Sequence, residues 1–524
     1  MEGIPPGNFP GKEWEMEKDL ILAHDLGTTG NKATLFNTQG KLMASSFYAY
    51  ETDYPHPGWA EQDPEDWWNA FKTSTIKLIR ESKIDPKRIA GISFSGQMMG
   101  CLPVDRGGNP LRKAIIWADQ RSLEEARILS ERVGEERVYL ITGHRISPTY
   151  SGEKIAWVHR NEPDIFRKIY RVLHAKDFLR FRLTGKMATD YSDASSMNLW
   201  DIQKKEWSSE ILKGLDLPEE ILPEAKPSVE IAGEVHPQIA AELGLLPGTP
   251  IAIGGGDGPC AAVGAGVVAE GDAYSYIGSS SWIALANSKP VYDPARRTVN
   301  FYHLHPEMVT PTGTMQTGGA SYQWLRNNLC KEEMAEGTRL GISPYELMNR
   351  QAEKSPPGAK GLLFLPYLMG ERSPHWNSAA RGVFLGLTLS HNRADMIRAV
   401  LEGVSFNLRI ILDAFTAQGI QIPAIRVIGG GARGALWRQI MADIFNRPIE
   451  RLTFLEEATS LGAAIAGGVA FGLFKNFQVA KEIAQVAEVQ RPRPEVREIY
   501  DRTYVVFQEA YEALVPIYDK LQGL

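Results

Sequence analysis

Short apolar runs that end in glycine-rich bends recur along this chain, and the bends carry most of its unusual acids. Leu20-Ile21-Leu22-Ala23 predicts a buried strand, Asn31–Phe36 a second strand after a tight bend, and Asn37-Thr38-Gln39-Gly40 a turn into a third. Asp63-Pro64 predicts a helix start, with Asp63 as cap and the proline at the first helical position. Trp67, Ala70, Phe71, Ser74 and Leu78 then share one helical face, apolar except for the small Ser74. Ile89–Phe94 reads as a further buried strand opening into Ser95-Gly96-Gln97-Met98-Met99-Gly100, and Ala114–Arg121 as strand then loop. Residues 150–245 alternate helical patterns and loops, after which strand Pro250–Ile253 runs into Gly254-Gly255-Gly256-Asp257-Gly258-Pro259.

The layout then begins again. Asp272–Ile277 predicts a strand, Gly278-Ser279-Ser280-Ser281 a small-residue turn, and Trp282–Ala286 the returning strand, which repeats the Asp25–Phe36 arrangement without its acid. A boundary near residue 268 follows, giving units 19–268 and 269–524. Met315–Ala320 is another glycine-rich bend, before a helix containing Trp324. Ile425–Ile428 leads into Gly429-Gly430-Gly431-Ala432-Arg433-Gly434 and an amphipathic helix through Trp437, Ile440 and Ile444. Tyr500, Tyr504, Phe507, Tyr511, Leu514, Tyr518 and Leu521 form the apolar face of a last helix, expected to pack on the second unit.

Composition narrows the class. A chain of 524 residues exceeds one hydrophobic core, so two large domains or three smaller ones are expected. Hydrophobic content of 43% and charged content of 23% are those of a soluble globular protein. The net charge of −6 and the lack of a long basic run exclude nucleic acid and anionic membrane as main partners. No apolar run reaches a membrane span. Residues 1–18 lack the apolar centre of a signal peptide and read as a flexible leader. Cys101, Cys260 and Cys330 are far apart, which fits neither a disulfide framework nor a zinc site and suits a reducing cytoplasm.

Two acids carry candidate chemistry. In His24-Asp25-Leu26-Gly27-Thr28-Thr29-Gly30 a carboxylate precedes a bend of glycines and hydroxyls, which can offer backbone N–H groups to an anion while Asp25 faces a metal. Asp257 follows three glycines at the mouth of a buried strand, where a lone acid is costly unless a metal, proton or hydroxyl meets it. A rival reading, a nicotinamide-dependent oxidoreductase, rests on Gly429-x-Gly431-x-x-Gly434 between a strand and a helix, with Glu450 about 20 residues on. That match lies late in the chain, and no other stretch resembles a hydride-transfer site. No Walker A frame is present. A non-catalytic sugar-binding protein would need the loops but not the poised Asp257.

The first loop resembles that of actin/hexokinase-type ATPases, and further motifs identify the chain as similar to the FGGY carbohydrate kinases over nearly all of Leu20–Leu521. Gly382-x-Phe384-x-Gly386-Leu387, Asp395-Met396 and Ala399-Val400-Leu401-Glu402 fit the family's C-terminal signature, and Ser151-x-x-Lys154-Ile155-x-Trp157-Val158 nearly meets the N-terminal one. Thr149 stands there in place of the usual residue type. Within the family, Gly96-Gln97-Met98, Trp117, Gly254–Asp257 and Gly370-Glu371-Arg372-Ser373-Pro374-His375 look most like xylulokinases.

The resemblance implies two actin/hexokinase-type (ribonuclease H-like) α/β domains with a cleft between them, the sugar on the N-terminal side and ATP on the C-terminal side. It implies ATP-dependent phosphorylation of a primary hydroxyl, most simply of D-xylulose, with D-ribulose, L-xylulose, a polyol or gluconate as alternatives. Asp257 would be the general base and Asp25, with Asp257, would hold Mg²⁺. Gly27, Thr28, Thr29, Lys32, Gly278, Ser279 and Ser280 would cradle the phosphates. Gly318, Gly319, Gly430, Gly431 and Ala432 would bind the nucleoside. Gln97, Met98, Met99, Trp117, Asp119 and Gly258 would line the sugar pocket; a homodimer is compatible with the resemblance. Two positions depart from the xylulokinase pattern: Met99 stands where histidine is usual, and Gly258 where asparagine often follows the base.

Overall fold

The computed structural model describes residues 18–522, so all but the last residue of the expected leader lies outside the described residues. Two seven-stranded sheets organise the chain, and both are built on an antiparallel meander beside two parallel strands and an antiparallel edge. In the first, Leu20–Leu26, Gly30–Asn37 and Leu42–Ala49 form an antiparallel meander. Ile89–Gly96 pairs in parallel with the far side of Leu20–Leu26, Pro250–Ala252 pairs in parallel with Ile89–Gly96, and Ile231–Glu234 closes that edge antiparallel. In the second, Ala273–Ile277, Ser281–Leu285 and Val309–Met315 form the meander, with Val299–Tyr302 at its edge. Ile425–Ile428 and Ile449–Leu452 are the parallel strands and Val486–Gln490 the antiparallel edge. The fold is thus the expected pair of actin/hexokinase-like α/β domains.

The central strand is apolar on both faces because both faces are covered. Leu20 and Leu22 join Trp67, Phe71 and Leu78 of helix Pro64–Ser82 in one core, while Ile21 and Ala23 join Leu461, Ala464 and Ile465 of helix Ala458–Ala470 in another. The first of these helices starts as its sequence requires: Asp63 accepts from the Glu65 N–H at 2.9 Å, with Pro64 next. Its one polar core position, Ser74, accepts a 2.7 Å bond from Asn31 of the adjacent strand.

Helix Ala458–Ala470 is distant in sequence from the sheet it covers. It crosses helix Asp257–Gly264 so tightly that a Cβ on Gly462 would lie 1.8 Å from the Cys260 carbonyl oxygen, and one on Gly264 1.8 Å from that of Ala458. The same short helix packs Ala261 and Ala262 against Tyr274, Ala284 and Ile428 of the second sheet. The crossing therefore joins the two lobes directly behind Asp257. Helix Arg497–Gln522 buries Tyr500, Tyr504, Phe507, Tyr511 and Tyr518 on the second core, whereas Leu521, expected on that face, is exposed. Among the described residues no helix is long and apolar enough to cross a membrane.

Candidate active site

Strand register brings the first acid and its loop into place. Asp25 stands opposite Lys32 and beside Ser95, and burial raises its carboxyl above the usual range, with Ser95 and the Lys32 charge opposing. The following bend closes on itself, because the Gly27 N–H donates to the Gly30 carbonyl at 3.0 Å. Gly27, expected to offer its N–H to phosphate, instead spends it on the turn, and its carbonyl accepts from the Tyr50 hydroxyl. Outward donation is left to Thr28 and Thr29, whose N–H groups take no backbone partner among the described residues. Thr28 is held from two sides: Trp117 Nε1 donates to its Oγ1 at 2.9 Å and Gln62 Nε2 to its carbonyl at 2.7 Å.

Asp257 opens helix Asp257–Gly264, and the Gly258 N–H donates to its Oδ1 at 2.7 Å. The side chain is open to solvent yet ringed by protein of both lobes. Burial first, then the Asp25 charge, pushes its carboxyl up to about 7. From the second sheet, Tyr276 feels both acids, and Tyr274 donates its hydroxyl to the Gly258 carbonyl at 3.0 Å. A Cβ on Gly258 would meet nothing within 4 Å, so backbone packing does not require glycine there.

A buried polar network absent from the sequence reading suspends this loop. Arg180 Nη1 donates to the Ile253 carbonyl at 2.6 Å, and the Gly256 N–H donates at 2.9 Å to Ser192, whose hydroxyl bonds Asp190. Lys176 Nζ lies 2.8, 2.7 and 2.5 Å from Asp177, Asp190 and Asp193. His174, Asp177 and Asp193 have the spacing of a metal site, but the lysine ammonium is already the cation between those aspartates. Three aspartates (Asp177, Asp190 and Asp193) and four cationic residues (Lys176, Arg180, Arg182 and Lys186) fall between positions 176 and 193, and that charge density was the available signal.

The expected acceptor wall assembles only in part. Gln97 donates to Gln62 Oε1 at 2.7 Å and leaves its own Oε1 without a partner. Met98 packs on Gly256, where a Cβ would come 2.5 Å from its sulfur. Met99 holds a left-handed φ of 60°, and its carbonyl accepts from Lys154 Nζ at 2.7 Å. Asp119 does not line the pocket as a free reader: it is fully buried, and its oxygens accept from the Ala60 N–H at 2.6 Å and from Arg121 at 2.7–3.0 Å. Arg121 in turn lies 3.7 Å from the Trp59 ring, so Asp119 anchors the stretch carrying Trp117.

Three separate glycine stretches meet at the end of strand Ala273–Ile277. The Gly318 and Ala320 N–H groups donate to the Ser279 carbonyl at 2.9 and 3.1 Å, and Gly319 to that of Gly278 at 2.7 Å. Gly318 and Gly319 are thus docked against the second turn rather than left bare for a flat ligand; a Cβ on Gly318 would lie 1.9 Å from the Ser281 hydroxyl. Gly278 and Ser280 close that turn at 3.1 Å, leaving Ser279 exposed. Gly431 abuts Ile277, Ala432 is buried, and Gly430 alone faces open space. The formal dinucleotide fingerprint has no Rossmann setting: it lies in this sheet, and Glu450 faces Arg426 at 3.6 Å.

The N-terminal domain of the FGGY family of carbohydrate kinases matches residues 20–264, and its C-terminal domain matches residues 273–471. The chain is 34% identical over 498 residues to a xylulose kinase of Staphylococcus epidermidis, covering 95% of this chain and 97% of that one. It is 33% identical over 505 residues to a gluconokinase of Bacillus subtilis, covering 96% of each. A ligand-bound xylulose kinase structure from Lactobacillus acidophilus superimposes with a TM-score of 0.89 at 28% identity, covering 96% of this chain and 99% of that one.

Proposed function

Because this chain belongs to the FGGY family of carbohydrate kinases, we propose that it transfers the γ-phosphoryl group of ATP to the primary hydroxyl of a ketopentose, D-xylulose being the first candidate. The observation that carries the reading is Asp257: a solvent-open carboxyl at a helix start, with a pKa raised to about 7 and a second acid, Asp25, close enough to act on it. Residues 19–268 are read as the acceptor lobe and 269–524 as the ATP lobe, and a reducing cytoplasm suits the three free buried cysteines.

Phosphoryl transfer asks for alignment and charge neutralisation more than for covalent chemistry. Asp257 takes the proton of the attacking hydroxyl, a task for which a base near neutrality is suited. The N–H groups of Thr28 and Thr29, with Lys32 behind them, and the exposed Ser279 turn address the phosphates from opposite lobes. Gly430 offers a flat surface to the nucleoside, with Gly431 behind it against Ile277. Gln97 Oε1 is a free acceptor for a sugar hydroxyl, while Met98 and Met99 give that pocket an apolar side. The Ser95 hydroxyl and the Lys32 charge only partly offset the burial of Asp25, so a hard divalent cation fits its oxygens. Asp25, with Asp257 nearby, would hold Mg²⁺, and the chemistry that ion would supply is charge neutralisation on the transferring group.

Xylulose kinases and a gluconokinase are similar to this chain to nearly the same degree, so the acceptor is decided by assay. ADP release with Mg-ATP is measured over D-xylulose, D-ribulose, L-xylulose, polyols and D-gluconate. D-Xylulose is expected to be turned over with the highest kcat/KM. A higher value for another acceptor overturns the ketopentose assignment, and saturable NADH binding without ADP release on any acceptor overturns the kinase reading.

A further inference from the structure

The Gly370–His375 motif contributes nothing to the chemistry above, yet it carries an unusual charge. Arg372 is flanked by Glu371, but that carboxylate is turned away: Oε1 accepts the Gln316 and Arg372 backbone N–H groups, and Oε2 accepts from Asn407 at 3.1 Å. The Arg372 guanidinium is left without an ion pair or side-chain hydrogen bond among the described residues, and its Nε is buried without a partner. Burial holds this guanidinium below its ordinary range, with only the Glu371 and Tyr150 charges opposing.

Two further arginines lie nearby without an ion pair among the described residues, although the Glu135 charge reaches Arg145. Arg145, from the first lobe, lies 5.3 Å from the ring of Trp376, whose backbone N–H donates to the Arg372 carbonyl. Arg296, from the second lobe, is close enough to repel Arg145, and its Nε is likewise buried without a partner. Its neighbour Arg297 takes up Asp293, the acid that could have served both. The Trp376 indole N–H is a third buried donor with no acceptor. Tyr150 is influenced by both Arg372 and Arg145, and Lys154 binds the carbonyls of Thr149 and Met99, which sets this cluster beside the Met99 turn.

Unpaired, partly desolvated guanidinium groups cost stability unless something anionic meets them, and arginine's fork of donors matches the two oxygens of a carboxylate or phosphate. We propose that Arg145, Arg296 and Arg372, with the Trp376 N–H, form a lobe-bridging site for a small oxyanion, a phosphate or a carboxylate. Such a ligand draws donors from both lobes, so its binding favours their approach. The oxyanion has two sources: a free phosphate-bearing metabolite, or the acidic end of an acceptor reaching past Met99.

The test is calorimetric titration of the full chain with inorganic phosphate and separately with D-gluconate, at saturating Mg-ADP so that the nucleotide loops are filled. Wild type is expected to bind at least one of them saturably, and Arg372→Gln and Arg145→Gln to bind it about tenfold more weakly, the loss of a charge-assisted contact. Arg372→Lys keeps the charge without the fork and is expected to fall between them. Phosphate binding alone identifies the free-phosphate source, and arginine-dependent D-gluconate binding the acceptor source. In anion-free buffer Arg372→Gln is expected to melt no lower than wild type, because an uncompensated charge has been removed. Equal affinity in wild type and all variants, absence of saturable binding of either anion, or variants that melt well below wild type in that buffer overturns the proposal. The ADP-release panel tests the kinase reading separately.

Discussion

Gln97 donates its side-chain amide to Gln62 Oε1 at 2.7 Å, and Gln62 donates onward to the Thr28 carbonyl at 2.7 Å. Gln62 is buried and saturated, since its Nε2 also reaches Thr52 at 2.8 Å and its Oε1 also accepts from Trp67 at 2.9 Å. It therefore couples the Ser95–Gly100 loop to the Gly27–Gly30 turn through one rigid amide. Gln62→Glu faces a carboxylate oxygen towards the Thr28 carbonyl and removes both donors, a loss of about 1–3 kcal/mol. Urea unfolding is expected to show that loss, and kcat/KM to fall for both ATP and the acceptor. A destabilised variant with unchanged kinetics would show that the coupling has no functional part.

Asp257 sets the pH behaviour. Acting as a base it must be ionised, so kcat/KM is expected to rise with pH and level off above about 7. Asp257→Asn should remove that limb and lower kcat by roughly 10²–10⁴, with Mg-ATP affinity within a few-fold. Folding stability moves the other way. A carboxyl raised in the folded state binds more protons there than in the unfolded chain, so its contribution is present at low pH and is lost as pH rises towards about 7. The Asn variant is accordingly expected to gain stability relative to wild type above neutrality. Melting curves at pH 5 and pH 8 would refute this if the difference had the opposite sign.

Asp25 separates from Asp257 by its response to metal. Asp25→Asn is expected to regain part of its activity as Mg²⁺ is raised, whereas Asp257→Asn is not. Superimposable Mg²⁺ titrations of the two variants would remove this division of labour.

Selectivity among pentuloses is expected to be loose. Met99 donates no strong hydrogen bond and Gly258 has no side chain, and an apolar wall separates analogues only about 10–200-fold, against 10⁴–10⁵ for a hydrogen-bonding site. D-Xylulose and D-ribulose should therefore differ in kcat/KM by less than about 100-fold. The open space at Gly258 admits asparagine, and Met99→His with Gly258→Asn is expected to move the ratio towards D-xylulose. A wild-type preference of 10⁴ or more, in the hydrogen-bonded range, would mean that other groups read the sugar.

Gly430 faces open space at the meeting point of the three glycine stretches. Gly430→Leu is expected to fold normally, to raise KM for ATP by about tenfold or more, and to leave acceptor binding in place, as befits loss of a flat contact surface. Retained ATP affinity would place the nucleoside elsewhere.

Strands, turns and the duplicated hairpin were legible because each is set by neighbours within a few residues. Leu20–Ala23 is apolar at every position and so needs cover on both faces; Asp63-Pro64 carries its own cap; Gly278–Ser281 repeats the first turn. The acids at strand ends were legible for the same reason, since an ionisable group beside glycines stands out locally. What covers the second face of Leu20–Ala23 was not, because helix Ala458–Ala470 is small and apolar all round and names no partner. Beyond the turns, the fate of the polar groups was decided by tertiary structure: Asp119 taken up by Ala60, the Gly254–Asp257 loop hung on Arg180 and Ser192, and Arg372 left unpaired because Glu371 faces Gln316 and Asn407. Apolar burial follows from a residue's own periodicity, whereas a hydrogen bond or charge is defined by what lies within about 3 Å, and most of those partners come from distant parts of the chain.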